Sequence, residues 1–405
     1  MNIENFIKDA LYKPNDYVAY HVARELAELH PESTIVEGNT SYFDFEAFVR
    51  AQQCAIVERK SVFHHVRTEW VSSRRLQQRI ENSWLNVLWK GHLLDVVLIT
   101  WTESCSRRRH YWIVSDVPNV AESFFDAVCE WGCEVRGEIL IYHDGYFEKD
   151  TDLFESIKTS TFDNLVLGGS LKEEIQNDFT QFFDSREVYE RYGIPWKRGA
   201  IFIGPPGNGK THTLKALINQ LGKPCLYVRS FKSEYGTEQE NMSEVFQRAR
   251  MAPCMVVLED LDSMIDDNNR SFFLNEVDGF QSNNGVVVLA TTNHPGKLDS
   301  AILDRPSRFD RKYYFELPAE TERLSYIRKW NSDLQTDLQL SEKGAARVVR
   351  ATDGFSFAYL KELFVASMVK WISDGRSKPM DDILLAQTDL LREQMRIEKR
   401  EKQKD

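Results

Sequence analysis

The spacing of apolar positions divides the chain of 405 residues into three regions. In the first region, up to about Ile157, helical and strand-like spacings are mixed, which is typical of an α+β domain. Helical spacing covers residues 18–29 and 120–131. Strand-like runs cover residues 54–57, 85–89, 93–101, 111–114 and 138–143. We therefore predict an N-terminal α+β domain over residues 1–157, in which no motif indicates a ligand.

Short apolar strands alternate with helices in the second region, which we place at residues 158–318. This alternation predicts a parallel sheet with crossover helices. The predicted strands cover residues 200–203, 225–228, 255–258, 286–290 and 313–315. A third region, residues 319–405, has helical spacing over 320–330, 342–351, 357–372 and 383–399 and closes with a charged tail. The predicted fold class is therefore α/β with a C-terminal helical subdomain.

Composition narrows the class of protein without naming a function. With 42% hydrophobic and 28% charged residues, the chain has the composition of a globular protein. Its formal net charge of −11 argues against a general nucleic-acid binder, and we interpret the basic clusters at 74–79 and 107–109 as solvated faces. The longest apolar run, near 93–101, is too short for a transmembrane helix, and the first residues lack the features of a targeting peptide. We therefore expect a cytoplasmic protein without a membrane span.

Six cysteines in a chain of this length are typical of reduced thiols. Cys129 and Cys133 are four residues apart, a spacing that a zinc site could use. Because no second pair of Cys or His lies nearby in the sequence, we interpret both as buried small residues.

A phosphate-binding loop follows the first predicted strand of the second region. A glycine-rich loop between a strand and a helix points backbone N–H groups at phosphates, helped by the positive end of the helix. Lys210 is expected to reach the β- and γ-phosphates, and the Thr211 hydroxyl is expected to hold Mg²⁺. The candidate nucleotide-binding residues are Gly204, Pro205, Pro206, Gly207, Asn208, Gly209, Lys210, Thr211 and His212.

Two acidic residues, Glu259 and Asp260, follow the predicted strand 255–258. Acids at the carboxyl end of a buried strand beside a phosphate loop are placed to order a metal ion and an attacking water. The alternative is a strand end with solvated acids, which the upstream loop makes the weaker interpretation. We therefore expect one carboxylate to order Mg²⁺ and the other to polarise the nucleophilic water.

Together these motifs resemble the ATPase module of the AAA family, within the AAA+ superfamily, over residues 162–364. The phosphate loop corresponds to Walker A, residues 255–260 to Walker B, and residues 290–293 to the sensor 1 strand. The resemblance implies that Asn293 positions the attacking water. Residues 298–310 match the second region of homology, which implies that Arg305 and Arg308 reach the γ-phosphate of a neighbouring subunit. It further implies ATP, Mg²⁺ and a homo-oligomeric ring, with a hexamer as the expected size.

One branch of the family is the most similar. Residues 182–199, residues 291–294 and the order Glu259–Asp260 resemble the mitochondrial ATPases that assemble respiratory complex III. Those relatives carry an N-terminal transmembrane helix that this sequence lacks, so we do not transfer their mitochondrial role. The inverted acid order assigns Glu259 to the metal and the shorter Asp260 to the water, which predicts slow hydrolysis.

The client of such an ATPase is not evident from the sequence. Tyr235 aligns with the pore loop that grips polypeptide in AAA rings, but a packing role at a strand–helix junction is equally open. Near Gly354 the lid motif is altered, and no basic sensor 2 residue is evident. We expect a chaperone-like remodeller or unfoldase of an unknown protein client, with the N-terminal domain recognising the client or an adaptor. The alternatives are a nucleotide-gated assembly scaffold with little turnover and a DNA-acting ATPase.

Overall fold

The computed structural model describes residues 3–40, 42–60, 63–70, 76–103, 106–133, 137–234, 236–278, 283–303, 305, 307–375 and 378–401. Within these ranges the chain divides into two units, Met1–Val135 and Arg136–Asp405. Among the helices so described, none combines the length and the apolar character that crossing a membrane requires.

The first unit is built on an antiparallel sheet. Its strands are β1 (Thr34–Gly38), β2 (Ala55–Arg59), β3 (His65–Trp70), β4 (Leu76–Trp89), β5 (His92–Glu103) and β6 (Ser106–Ser115). Its helices are α1 (Ile3–Leu11), α2 (Val18–Leu29), α3 (Phe45–Arg50) and α4 (Val120–Cys133). The strand order is β1-β6-β5-β4-β2, and β3 pairs with β4 outside that path.

Both faces of this sheet are covered by helices. Phe48 and Phe124, from α3 and α4, share one buried cluster with strand residues such as Leu85. Leu26, from α2, shares a second cluster with Trp84. Strand β5 is buried on both faces, and its central residues 96–99 are accordingly continuously apolar rather than alternating.

The second unit contains a seven-stranded sheet and most of the helices. Its strands are β7 (Ile139–His143), β8 (Tyr146–Asp150), β9 (Arg198–Ile203), β10 (Cys225–Val228), β11 (Cys254–Leu258), β12 (Val286–Thr292) and β13 (Arg311–Tyr314). Its helices are α5 (Thr151–Lys158), α6 (Leu171–Asp184), α7 (Arg186–Arg191), α8 (Lys210–Leu221), α9 (Glu238–Ala249), α10 (Leu261–Met264), α11 (Arg270–Asp278), α12 (Ser300–Leu303), α13 (Glu320–Asp333), α14 (Glu342–Ala351), α15 (Phe357–Ser373) and α16 (Met380–Glu401). The strand order is β13-β9-β12-β11-β10-β7-β8, with every pair parallel except β7–β8. The predicted α/β class is confirmed.

Strand β7 lies before the predicted domain boundary near residue 157, yet it belongs to the sheet of the second unit. We predicted this strand as part of the N-terminal domain, but it pairs in parallel with β10. A two-residue turn at Asp144 and Gly145, both with positive φ, then returns the chain as β8. The strand is an almost fully buried apolar run, so its sequence pattern fits either domain, and only its long-range pairing assigns it to the second unit.

The arrangement of the central strands determines where a site can form. Strands β9, β12, β11 and β10 are consecutive in the sheet and parallel, so their carboxyl ends meet at one edge. The helices α13–α16 form a helical subdomain with its own buried cluster, which includes Val348 and Phe364. The start of α15 contacts the edge directly, because the Ala358 N–H donates to the Gly207 carbonyl at 3.0 Å.

Candidate nucleotide site

The loop between β9 and α8 adopts a backbone conformation that requires glycine. Gly207 and Gly209 have φ of +80° and +93°, a region that other residues rarely adopt. At Gly204 a Cβ atom would lie 2.1 Å from the Phe315 carbonyl oxygen. Asn208 is 1% exposed, and neither polar atom of its amide has a partner among the described residues. Because an unpartnered buried amide is costly, a bound polar ligand would stabilise this loop.

Lys210, the first residue of α8, bends back over the loop. Its Nζ donates to the carbonyls of Gly204 and Pro205 at 2.7 and 3.0 Å and to Asn293 Oδ1 at 2.7 Å. The residue is 7% exposed. Burial lowers the pKa of Lys210, whereas three nearby carboxylates act in the opposite direction. The three hydrogen bonds of this buried ammonium group go to neutral oxygens, so the group can also bind an anion such as phosphate.

The next two residues face different surroundings. Thr211 is exposed, and its hydroxyl donates to Glu259 Oε1. His212 is half-buried, and burial lowers the pKa of its imidazole while a hydrogen bond to the backbone of Thr161 raises it. The structure therefore brings Thr211 to the acid pair, as expected of a metal-binding hydroxyl, and turns His212 towards the segment before α6.

Glu259 accepts hydrogen bonds on both carboxylate oxygens. In addition to Thr211, the Tyr227 hydroxyl donates to Glu259 Oε2 at 2.9 Å. Burial, followed by the charge of Glu259, raises the pKa of Tyr227, so the phenol stays protonated and remains a donor at neutral pH. Tyr227 was not among the predicted site residues, because a tyrosine within an apolar strand carries no local signal of this contact.

Asp260 lies in a strained conformation at the carboxyl end of β11. Its φ is +52°, which is uncommon for a residue other than glycine and is typical of functional sites. The Asp260 N–H donates to Thr291 Oγ1 at 2.9 Å, and its Oδ1 accepts from Asn293 Nδ2 at 2.8 Å. Asn293 therefore bridges Lys210 and Asp260. A parallel contact, from the Thr292 hydroxyl to Asp262 Oδ1 at 2.7 Å, was also missed from sequence.

The two predicted arginines have different surroundings. Arg305 is exposed. Arg308 is 7% exposed; its Nε donates to Asp278 Oδ2 at 2.7 Å, and its Nη1 donates to the Ala301 carbonyl. Arg308 is thus bound within its own chain. Tyr235 lies outside the described residues.

Comparison with known proteins relates part of the chain to a known family of proteins. Residues 200–317 match the family described as "ATPase family associated with various cellular activities (AAA)". Residues 200–317 therefore correspond to an AAA ATPase domain.

Three relatives show how far the similarity extends. "ATP-dependent zinc metalloprotease FtsH" of Acidothermus cellulolyticus is 35% identical over 226 residues, which cover 51% of this chain and 33% of that protein. "ATP-dependent zinc metalloprotease FtsH 2" of Salinibacter ruber is 31% identical over 223 residues, 50% of this chain and 32% of that protein. The Lancefieldella parvula FtsH is 29% identical over 244 residues, 56% of this chain and 37% of that protein. The chain thus spans about a third of the length of these relatives.

Proposed function

We propose that the residues at the carboxyl edge of the sheet form the hydrolytic site of this ATPase domain. Lys210 would bind the β- and γ-phosphates, and Thr211 with Glu259 would hold Mg²⁺, which neutralises phosphate charge. Asp260 would accept a proton from the attacking water, oriented by Asn293. The observation that carries this proposal is the hydrogen-bonded connection from Lys210 through Asn293 to Asp260.

We further propose that the chain acts in a homo-oligomeric ring, of hexameric size, as a chaperone-like remodeller of protein clients. Exposed Arg305 supports this proposal, since an arginine supplied across a subunit interface makes hydrolysis depend on assembly. The relatives are named as ATP-dependent zinc metalloproteases, and proteases act on polypeptides. The first unit, with its separate core, would recognise the client or an adaptor, and Tyr235 would contact the client.

A nucleotide-gated scaffold with little turnover is the second candidate. The observation that favours it is the inverted acid order, because Asp260 is one methylene shorter than the glutamate usual at the water-activating position. The same inversion supports our finer proposal of kinship with the complex III assembly ATPases. For location, we propose the cytoplasm, because six cysteines in a chain of 405 residues are typical of reduced thiols.

The test is the Asp260→Asn variant. We expect turnover to fall at least about 100-fold, since a general base contributes roughly 10²–10⁴-fold. Affinity for a fluorescent ATP analogue should stay within about twofold, because Asn keeps an acceptor for Asn293. The matched control is Asp267→Asn, since the Asp267 side chain is 92% exposed and lies outside the site. Unchanged turnover in Asp260→Asn would remove Asp260 from the proposed role.

The same assay separates the two candidates. A remodeller should hydrolyse ATP faster when an unfolded protein such as reduced, carboxymethylated lactalbumin is added, and its mass should show a closed ring in ATP. A scaffold should assemble in ATP but show no stimulation. Stimulation by DNA instead of unfolded protein would favour the DNA-acting alternative.

A further inference from the structure

Tyr227 lies on β10, the strand beside β11, in register with Val257. This register places the tyrosine two residues short of the acid pair, close enough for its hydroxyl to reach Glu259 Oε2 at 2.9 Å. Thr211 occupies the other carboxylate oxygen. The Glu259 carboxylate is therefore held from two directions, by the phosphate loop and by the neighbouring strand.

The hydrogen bond from the Tyr227 hydroxyl matters in this chain because a glutamate, rather than an aspartate, occupies position 259. A glutamate reaches the metal position through one more rotatable bond than an aspartate, so its carboxylate samples more orientations and loses more entropy when it is fixed. A hydrogen bond from a neutral donor to a carboxylate is stronger than one between neutral groups. We propose that Tyr227 is a positioning residue for Mg²⁺-nucleotide: its hydroxyl fixes the Glu259 carboxylate and offsets the freedom introduced by the inverted acid order.

The inference rests on the proposed role of Glu259, and it differs from a purely structural role for Tyr227. The Tyr227 ring also packs against the main buried cluster of the second unit. Tyr227→Phe keeps that packing and removes only the hydroxyl. A structural tyrosine would then affect melting, whereas a positioning tyrosine should affect the contribution of Mg²⁺ to nucleotide affinity.

The measurement is the affinity for a fluorescent, non-hydrolysable ATP analogue with Mg²⁺ and with EDTA. In Tyr227→Phe, the gain in affinity on adding Mg²⁺ should fall about tenfold, as expected for the loss of one hydrogen bond to a charged group. Affinity in EDTA should stay within about twofold, because the described hydrogen bond of the hydroxyl goes to the proposed metal-binding Glu259 and not to a residue of the phosphate loop. The control is Tyr313→Phe, which removes a tyrosine–carboxylate hydrogen bond of 2.7 Å to Asp178, away from the site. An unchanged Mg²⁺ gain in Tyr227→Phe overturns the proposal.

A double-mutant cycle tests the cause. In the E259D/D260E background the shorter carboxylate at position 259 withdraws from the hydroxyl, so adding Tyr227→Phe should change the Mg²⁺ gain less than twofold. A tenfold loss in both backgrounds would show that the hydroxyl acts elsewhere and would overturn the inference. Glu259→Gln separates this failure from that of the proposed function. If Glu259→Gln leaves the Mg²⁺ gain intact, the metal role of Glu259 fails and the inference fails with it; if only Tyr227→Phe is silent, the inference alone fails.

Discussion

Replacing each of the two arginines that follow β12 with alanine should cause a different defect, a loss of stability in one case and a loss of turnover in the other. Arg305 is exposed, whereas Arg308 is buried and bound to Asp278 and the Ala301 carbonyl of its own chain. Arg308→Ala should therefore destabilise the isolated chain, with or without nucleotide. Arg305→Ala should leave the fold intact and reduce turnover in the assembled state.

The size of the effect follows from burial. Removing one partner of a buried ion pair costs about 3–5 kcal/mol. We expect the lower end, about 3 kcal/mol, because the Asp278 side chain remains 29% exposed and can be hydrated. A domain of this size loses about 2–4 °C of melting temperature per kcal/mol, so Arg308→Ala should melt about 6–12 °C lower. Arg305→Ala should melt within about 2 °C of the natural protein and lose on the order of 10³ in turnover.

The assay is thermal melting without nucleotide, together with turnover at saturating ATP. Arg308→Lys is the graded control, since lysine keeps the charge but lacks the second donor that reaches Ala301, and should melt between the natural protein and Arg308→Ala. A double-mutant cycle with Asp278→Ala should give a coupling free energy above about 1 kcal/mol. If Arg308→Ala melts normally and loses as much turnover as Arg305→Ala, the assignment of Arg308 to its own chain is wrong.

Two further predictions concern the backbone and the thiols. Gly207→Ala should weaken nucleotide affinity about tenfold in a fluorescence titration, because a Cβ there would lie 2.6 Å from Ala358 Cβ and φ is +80°. Gly193→Ala is the control and should leave affinity unchanged, because Gly193 has a φ of +63° but open space around it; equal losses in both variants would refute the steric argument. Burial raises the pKa of the Cys54 and Cys254 thiols to about 12, so at pH 8 only roughly one thiol in 10,000 is ionised. Iodoacetamide should therefore label these thiols only after unfolding. Labelling of the native protein as fast as labelling in guanidinium would contradict this prediction.

Much of the second unit could be predicted because its local patterns agree with its long-range arrangement. The predicted strand 225–228 coincides with β10, and the predicted helix 342–351 coincides with α14. Strand β7 shows the limit of prediction from local pattern. Its five residues form an apolar run that any buried strand could have, and nothing local distinguishes pairing with β10 from pairing with a strand of the first unit.

The candidate site shows the same limit in its side chains. Parallel strands bring their carboxyl ends together, so the proximity of Lys210, Asp260 and Asn293 could be expected once the strands were ordered. The partner of Arg308 could not, because Asp278 lies 30 residues earlier at the end of a helix with no motif of its own. Resemblance assigned Arg305 and Arg308 one shared role from their spacing, whereas the structure distinguishes them by burial.

The effect of the inverted acid order depends on how each carboxylate is held in the site as well as on which acid occupies each position. From sequence, exchanging the usual acids at positions 259 and 260 changes two side-chain lengths and predicts a base farther from the attacking water and slow hydrolysis. In the structure the longer acid, Glu259, accepts hydrogen bonds from Thr211 and Tyr227, while the shorter one, Asp260, has a left-handed backbone conformation and accepts a hydrogen bond from Asn293. A carboxylate that is shorter by one methylene can be brought back to its water by moving the backbone that carries it. We therefore expect the rate of the proposed hydrolysis to depend on how rigidly these contacts hold the two carboxylates, and not on side-chain length alone.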